Sequence, residues 1–192
     1  MRKILLSLMA AGSLVSAQAA TFQFDLQGTA GSGLLPGNEP GAIVGGTGGE
    51  IGAGIFYDDV TLSLTINVGW GSSQGFTDLS SLANNSHIHG PTAANFGNNG
   101  TADFTQTTAV LFTLTRSGNA VTGGTITSAP ILLTAPQVTD LFNGKYYINI
   151  HTANNGSGEM RGFIVPVPEP STYALVGLGV ASLAALRMRR RK

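Results

Sequence analysis

The sequence predicts an all-β domain, a sandwich or barrel of short strands with one short helix. It sits between an N-terminal signal peptide and a C-terminal single apolar helix. Three observations predict this. The stretch "VTLSLTINVGW" sets Leu62, Leu64, Ile66 and Val68 against Thr61, Ser63, Thr65 and Asn67, the period of two that gives a strand one apolar face. Glycine is abundant, 27 in 192 residues, and punctuates short runs of Thr, Val, Ile and Asn, the spacing of many short strands and turns. Both ends differ in composition from the body between them.

At the N-terminus, Arg2 and Lys3 precede an apolar run that closes on Ala17-Gln18-Ala19, the three-part order of a secretory signal. Residues 1–20 are assigned to it, with cleavage expected after Ala19 or Ala20. Flank charge, run length and the small-residue pattern all favour export over a core helix.

The body is acidic. Between Ala20 and Pro166, nine acids stand against three bases, Arg116, Lys145 and Arg161. Phosphate binding needs clustered Lys and Arg, so nucleic acid is excluded as a partner. There is no cysteine, so the domain depends on its core, although an exported compartment permits disulfides.

Strands are expected at Phe22–Leu26, Ile51–Tyr57, the alternating run through Val68, Val110–Thr115, Ala120–Ile126, Tyr146–His151 and Met160–Val165. Asp58-Asp59 between two runs reads as a hairpin turn. In "TAPQVTDLFNGK", Thr134 is the expected N-cap with Gln137 in a capping-box relation. Val138, Leu141 and Phe142 form an apolar face, and Gly144 follows as the C′ residue. The glycines of "GGTGGEIGAG" are out of register for a phosphate-cradling loop, and no Lys-Ser/Thr follows, so they read as flexible turns. Asn-x-Ser/Thr sequons at Asn84, Asn99 and Asn155 matter only in a eukaryotic secretory route.

At the C-terminus a Pro-broken linker leads into Tyr173–Leu186, 14 residues without charge, and then into "RMRRRK". That length gives about 21 Å of helix, short of the ~20 residues that span a bilayer comfortably. Flanking polar residues and snorkelling arginines extend it, and basic residues after it hold that end in the cytoplasm. Pro168-Glu169-Pro170, the apolar helix and the run with Arg187, Arg189, Arg190 and Arg191 resemble the PEP-CTERM sorting signal of Gram-negative bacteria. The resemblance implies an exosortase-like processing enzyme as partner and an inner-membrane tether before processing. It also implies a final place at the cell surface or outside the cell, in a class linked with exopolysaccharide and biofilm matrix. Residues 166–192 are assigned to this signal.

All three histidines lie in "HIHGP" and "YYINIHTANNGSGEMRGF". On a strand, His87 and His89 point to one side. Tyr147, Asn149 and His151 share a face opposite Ile148 and Ile150, and the same rule puts Glu159 and Arg161 on the side of His151. Taken with the helix, these motifs resemble the CHRD domain, named after its repeats in chordin, over residues 21–165. That resemblance implies an immunoglobulin-like β-sandwich or barrel and no established activity.

Three readings of the histidines stay open. In the first, Arg161 with its five donors, Glu159, Asn149 and the histidines brace the loops. In the second, His87, His89 and His151 hold one zinc or copper ion, with Glu159 as a supporting group and affinity falling below the free imidazole value of about 6.5. A likeness to the copper/zinc superoxide dismutase sandwich belongs to this reading. The third is catalysis, for which no nucleophile motif is present, so no catalytic residue is assigned. The expected function is a cell-surface or matrix binding or structural module, with no enzyme activity assigned. The alternative is a mononuclear metal protein.

Overall fold

The structure, a computed structural model, describes residues 20–36, 45–93, 106–168, 178–182 and 187. The described part of the body is mostly β with one short α-helix. Twelve strands form one sheet: β1 (Thr21–Gly28), β2 (Gly31–Ser32), β3 (Leu35–Pro36), β4 (Gly48–Asp58), β5 (Ser63–Trp70), β6 (Ala83–His89), β7 (Val110–Thr113), β8 (Arg116–Ala120), β9 (Gly123–Thr127), β10 (Ile131–Leu132), β11 (Tyr147–Thr152) and β12 (Met160–Pro166). The order is β7-β6-β11-β12-β1-β4-β5-β9-β8, with β10 on β5, β2 on β1 and β3 on β12. The two outermost strands, β7 and β8, are consecutive in the chain. The sheet therefore curls until its edges approach, and Arg116 on β8 donates from Nη2 to the Asn84 carbonyl on β6 at 2.9 Å.

The curl encloses one apolar core. Leu64, Ile66, Val68 and Trp70 of β5 are fully buried, as are Phe24, Leu26, Ile55, Ile88, Ile148, Ile150 and Ile164 from its neighbours. Each such side chain contributes about 1.5–3 kcal/mol by leaving water. Trp70 anchors one end, donating Nε1–H to the Ala120 carbonyl at 3.1 Å. Its ring lies on Gly124, where a Cβ would come within 2.2 Å of the indole.

The helix α1 (Ala135–Phe142) starts where the sequence places it. Gln137 accepts the Thr134 N–H at 2.8 Å, and Gly144 takes φ 63 just past the end. Phe142 packs edge-on against Phe22, Phe24 and Tyr57 at 5.1, 5.3 and 5.8 Å between centroids, a favoured aromatic geometry.

Two expectations change. The run Ala120–Ile126 is not one strand but the end of β8, a turn at Val121-Thr122 and the start of β9. Leu62 does not continue the apolar face of β5. It sits in the turn after Asp58, 49 % exposed, at φ 54. The signal peptide, apart from Ala20, lies outside the described residues. So does most of the C-terminal signal, including Glu169, Pro170, Arg189, Arg190 and Arg191. Residues 178–182 and 187 are helical, and among the described residues no helix is long and apolar enough to cross a membrane.

Candidate metal centre

Strand pairing assembles the site. Tyr147 lies opposite His89, Asn149 opposite His87, and His151 opposite Asn85, so His151 is the diagonal neighbour of His87 on the same face. One candidate ligand atom from each of the three histidines lies within 4.8 Å of the others. Two nitrogens on one tetrahedral zinc at ~2.0–2.1 Å lie about 3.3 Å apart. The His87 Nδ1 to His151 Nε2 distance of 3.1 Å already matches that spacing.

Backbone carbonyls fix two of the rings. His89 Nδ1 lies 2.9 Å from the Thr108 carbonyl, and His151 Nδ1 lies 2.9 Å from that of Gly156. A carbonyl only accepts, so both Nδ1 atoms carry the proton and both Nε2 atoms keep the lone pair. This is how metal-binding imidazoles are oriented. His87 Nδ1–H then donates to His151 Nε2, and coordination through His87 Nδ1 requires only that its proton move to Nε2. The lone pair of His89 Nε2 is buried without a hydrogen-bond partner among the described residues. Leaving such an acceptor empty costs about 1–3 kcal/mol.

The electrostatics favour neutral rings. Burial pushes His87 down to about 4, helped by His151, His89 and Arg116. Burial also lowers His89 and His151, against the opposing pull of their carbonyl partners. The rings are therefore neutral at neutral pH, each with one lone-pair nitrogen free to bind metal.

Arg161 and Glu159 part company. Arg161 is fully buried, with its Cζ 3.5 Å from the Tyr147 ring centroid. That ring stacks parallel on His89 at 4.9 Å. Arg161 thus reaches the histidines through an aromatic ring.

Glu159, 1 % exposed, bonds neither to Arg161 nor to His151. Its Oε1 accepts from the amides of Gly46 and Ser80 at 2.8 and 2.7 Å. Its Oε2 accepts from the hydroxyls of Ser80 and Thr152 at 2.5 and 2.7 Å and from Asn155 Nδ2 at 3.1 Å. Burial works to raise its carboxyl, but these bonds outweigh it and hold the group below the usual carboxylate range. Asn149 donates to the Ser157 carbonyl at 3.1 Å, so it braces the hairpin loop beside His151.

Sequence reasoning missed Tyr147, Thr108 and Gly156 as supports of the rings. The Tyr at i−2 from Asn149 on the His151 face was a usable sign; nothing marked the other two. The glycines before β4 are not flexible turns either. Gly46 bonds Glu159, and at Gly45 a Cβ would press within 2.4 Å of the carboxylate.

A family model for the CHRD domain matches residues 21–164. The chain belongs to the CHRD domain family. A model of the PEP-CTERM protein-sorting motif matches residues 166–191, directly after the CHRD domain. No curated protein and no solved structure matches the chain. The order of the two segments is that of an exosortase-processed surface protein, and the motif implies export in a Gram-negative bacterium.

Proposed function

We propose that this CHRD protein is a surface-displayed module whose β body binds one zinc or copper ion through His87, His89 and His151. The carrying observation is the pair of rings locked by Thr108 and Gly156, one of which leaves a buried Nε2 with no hydrogen-bond partner among the described residues. The donor set is all nitrogen and neutral, which suits zinc or copper better than calcium or magnesium. The curled sheet closes around one core much as an immunoglobulin-like sandwich does, and its outer face carries the histidines. A signal peptide over residues 1–20 exports the chain. The apolar tail crosses the inner membrane until an exosortase-like enzyme cuts near Pro168-Glu169-Pro170. The released body then joins the surface or an exopolysaccharide matrix. The second reading makes the histidines struts only, and the His87–His151 contact favours it.

Elemental analysis and thermal melting of the exported protein separate the two. One equivalent of zinc or copper is expected to remain after dialysis. Free metal at about 100 times Kd adds ~2.7 kcal/mol to stability. His87→Ala, His89→Ala and His151→Ala each abolish that gain. If the histidines are struts, the variants lose stability and added metal changes nothing.

The pH dependence has a definite sign. All three folded-state values lie below the unfolded value of about 6.5. Below that pH the unfolded chain takes up protons that the native state refuses. Metal-free stability therefore falls from about pH 6.5 and levels off only below the folded values, about 4 for His87. Proton competition for the native site follows those lowered folded values, so metal affinity falls off at lower pH than for free imidazoles. Urea midpoints from pH 7.5 to 4, with and without metal, check both statements.

A further inference from the structure

We propose that the end of the domain carrying Val60, Leu62 and Leu132 faces the lipid bilayer while the chain is tethered and dips these side chains into its interface. The inference rests on the reading that the tail is a membrane tether. It is carried by where the strands end.

On β1, Phe24 lies opposite both Pro166 of β12 and Ile55 of β4, and Thr21 lies opposite Asp58. Val167 continues along β1, donating to the Gln23 carbonyl at 3.0 Å. The exit of β12 and the β4–β5 turn therefore point to the same end of the sheet, about three residues or ~10 Å apart. The histidines lie back from that end: His89 is opposite Tyr147, itself opposite Phe163, three residues or ~10 Å back along β12. Ile150, next to His151, is opposite Met160, six residues or ~20 Å back along β12.

Only residues 168–172 separate Val167 from the uncharged stretch that begins at Tyr173. Five residues reach at most about 18 Å when fully extended. A tethered body cannot stand clear of the bilayer, and its tether-side end must meet the headgroups.

That end is built with apolar tips. Val60 is 66 % exposed, Leu62 49 % and Leu132 72 %. The Leu133 amide donates to the Leu62 carbonyl at 2.9 Å, and Leu132 pairs with Ser63, so β10 and the turn lie side by side. Leu82 and Val110 are exposed apolar residues elsewhere, of the scattered kind that any surface carries.

Leu62 supplies an independent argument. It occupies the left-handed region at φ 54, where Gly or Asn is at ease and a bulky side chain is strained. An exposed leucine there costs the fold twice, in strain and in hydration, and such an outlier points to a role outside folding.

Asp58 and Asp59 flank the tips. The Asp58 carboxylate holds the amides of Val60 and Thr61 at 2.8 and 2.9 Å, and Asp59 accepts from the Ala20 amide at 2.9 Å. Their charge makes the contact one with the apolar boundary of a zwitterionic surface, not an attraction to anionic lipid.

The chain has no cysteine, so single-cysteine labelling is unambiguous. Full-length protein with Leu132→Cys, Ala153→Cys or Gly179→Cys is labelled with a fluorophore and reconstituted into phosphatidylcholine vesicles containing spin-labelled lipid. Quenching is expected at 179 in the tail and at 132, and not at 153 beside the histidines. Replacing part of the lipid with phosphatidylglycerol should not increase quenching at 132. Adding Leu62→Gly should lower quenching at 132 while the melting temperature holds or rises, because glycine takes φ 54 without strain. Quenching at 179 with 132 as bright as 153 overturns the inference while leaving the tether intact; a second copy or solvent then covers the tips. An unquenched 179 refutes the tether itself, and the inference falls with it.

Discussion

Glu159→Gln is expected to destabilise the domain by about 3–5 kcal/mol, much of the 5–15 kcal/mol that holds a typical domain folded. One buried carboxylate accepts five hydrogen bonds from Gly46, Ser80, Thr152 and Asn155. Charge-assisted bonds contribute about 1.5–3 kcal/mol each before mutual non-additivity. Glutamine keeps the shape, removes the charge, and turns an NH2 toward donors. Its effect should be loss of stability without loss of the metal-dependent gain, because Glu159 touches none of the histidines. The sequence expectation of a supporting role for the metal would instead show as a weakened gain. Glu159 also adds to the acid sensitivity. Its folded value lies below the ordinary 4.5, so its contribution is full above the unfolded value and is lost as pH falls through the folded one. In Glu159→Gln that contribution should vanish while the histidine contribution remains. Equal urea midpoints for the two proteins at pH 7 would contradict this account of the loop anchor.

Arg161→Lys is expected to cost about 3 kcal/mol. The guanidinium is completely buried and lies flat enough to place its Cζ 3.5 Å from the Tyr147 centroid, with Phe163 at 5.1 Å. An ammonium cannot stack, holds its water more strongly, and lacks the planar fork. Because Tyr147 is also the platform of His89, the same change should loosen that ring and reduce metal affinity. A double-mutant cycle of Arg161→Lys with Tyr147→Leu should show coupling. Strict additivity would mean that the stack carries no shared energy.

Local pattern carried much of the fold. The apolar face of β5 from Leu64 to Val68, the Asp58 turn and the capping box of α1 all depend on neighbours within four residues, so they were legible. The β8–β9 hairpin was not, because Val121-Thr122 fills its turn with residues that favour strands where Asn-Gly is the usual sign. Face alternation put His87 with His89, and Tyr147 with His151, but it could not show which strands are neighbours. The β6–β11 pairing that brings the two groups together joins residues some 60 apart. Glu159 was misplaced for a related reason. It precedes β12, so strand alternation does not govern its direction, and its partners Gly46 and Ser80 lie 113 and 79 residues away. Short-range rules contain no term for contacts of that span.

The most direct test of the three-histidine centre is X-ray absorption at the metal edge of protein carrying one equivalent of zinc. The account predicts a first shell with three imidazole nitrogens at about 2.0–2.1 Å, a signature lost in His87→Ala. A shell of oxygen ligands alone, or one unchanged by His87→Ala, would contradict it.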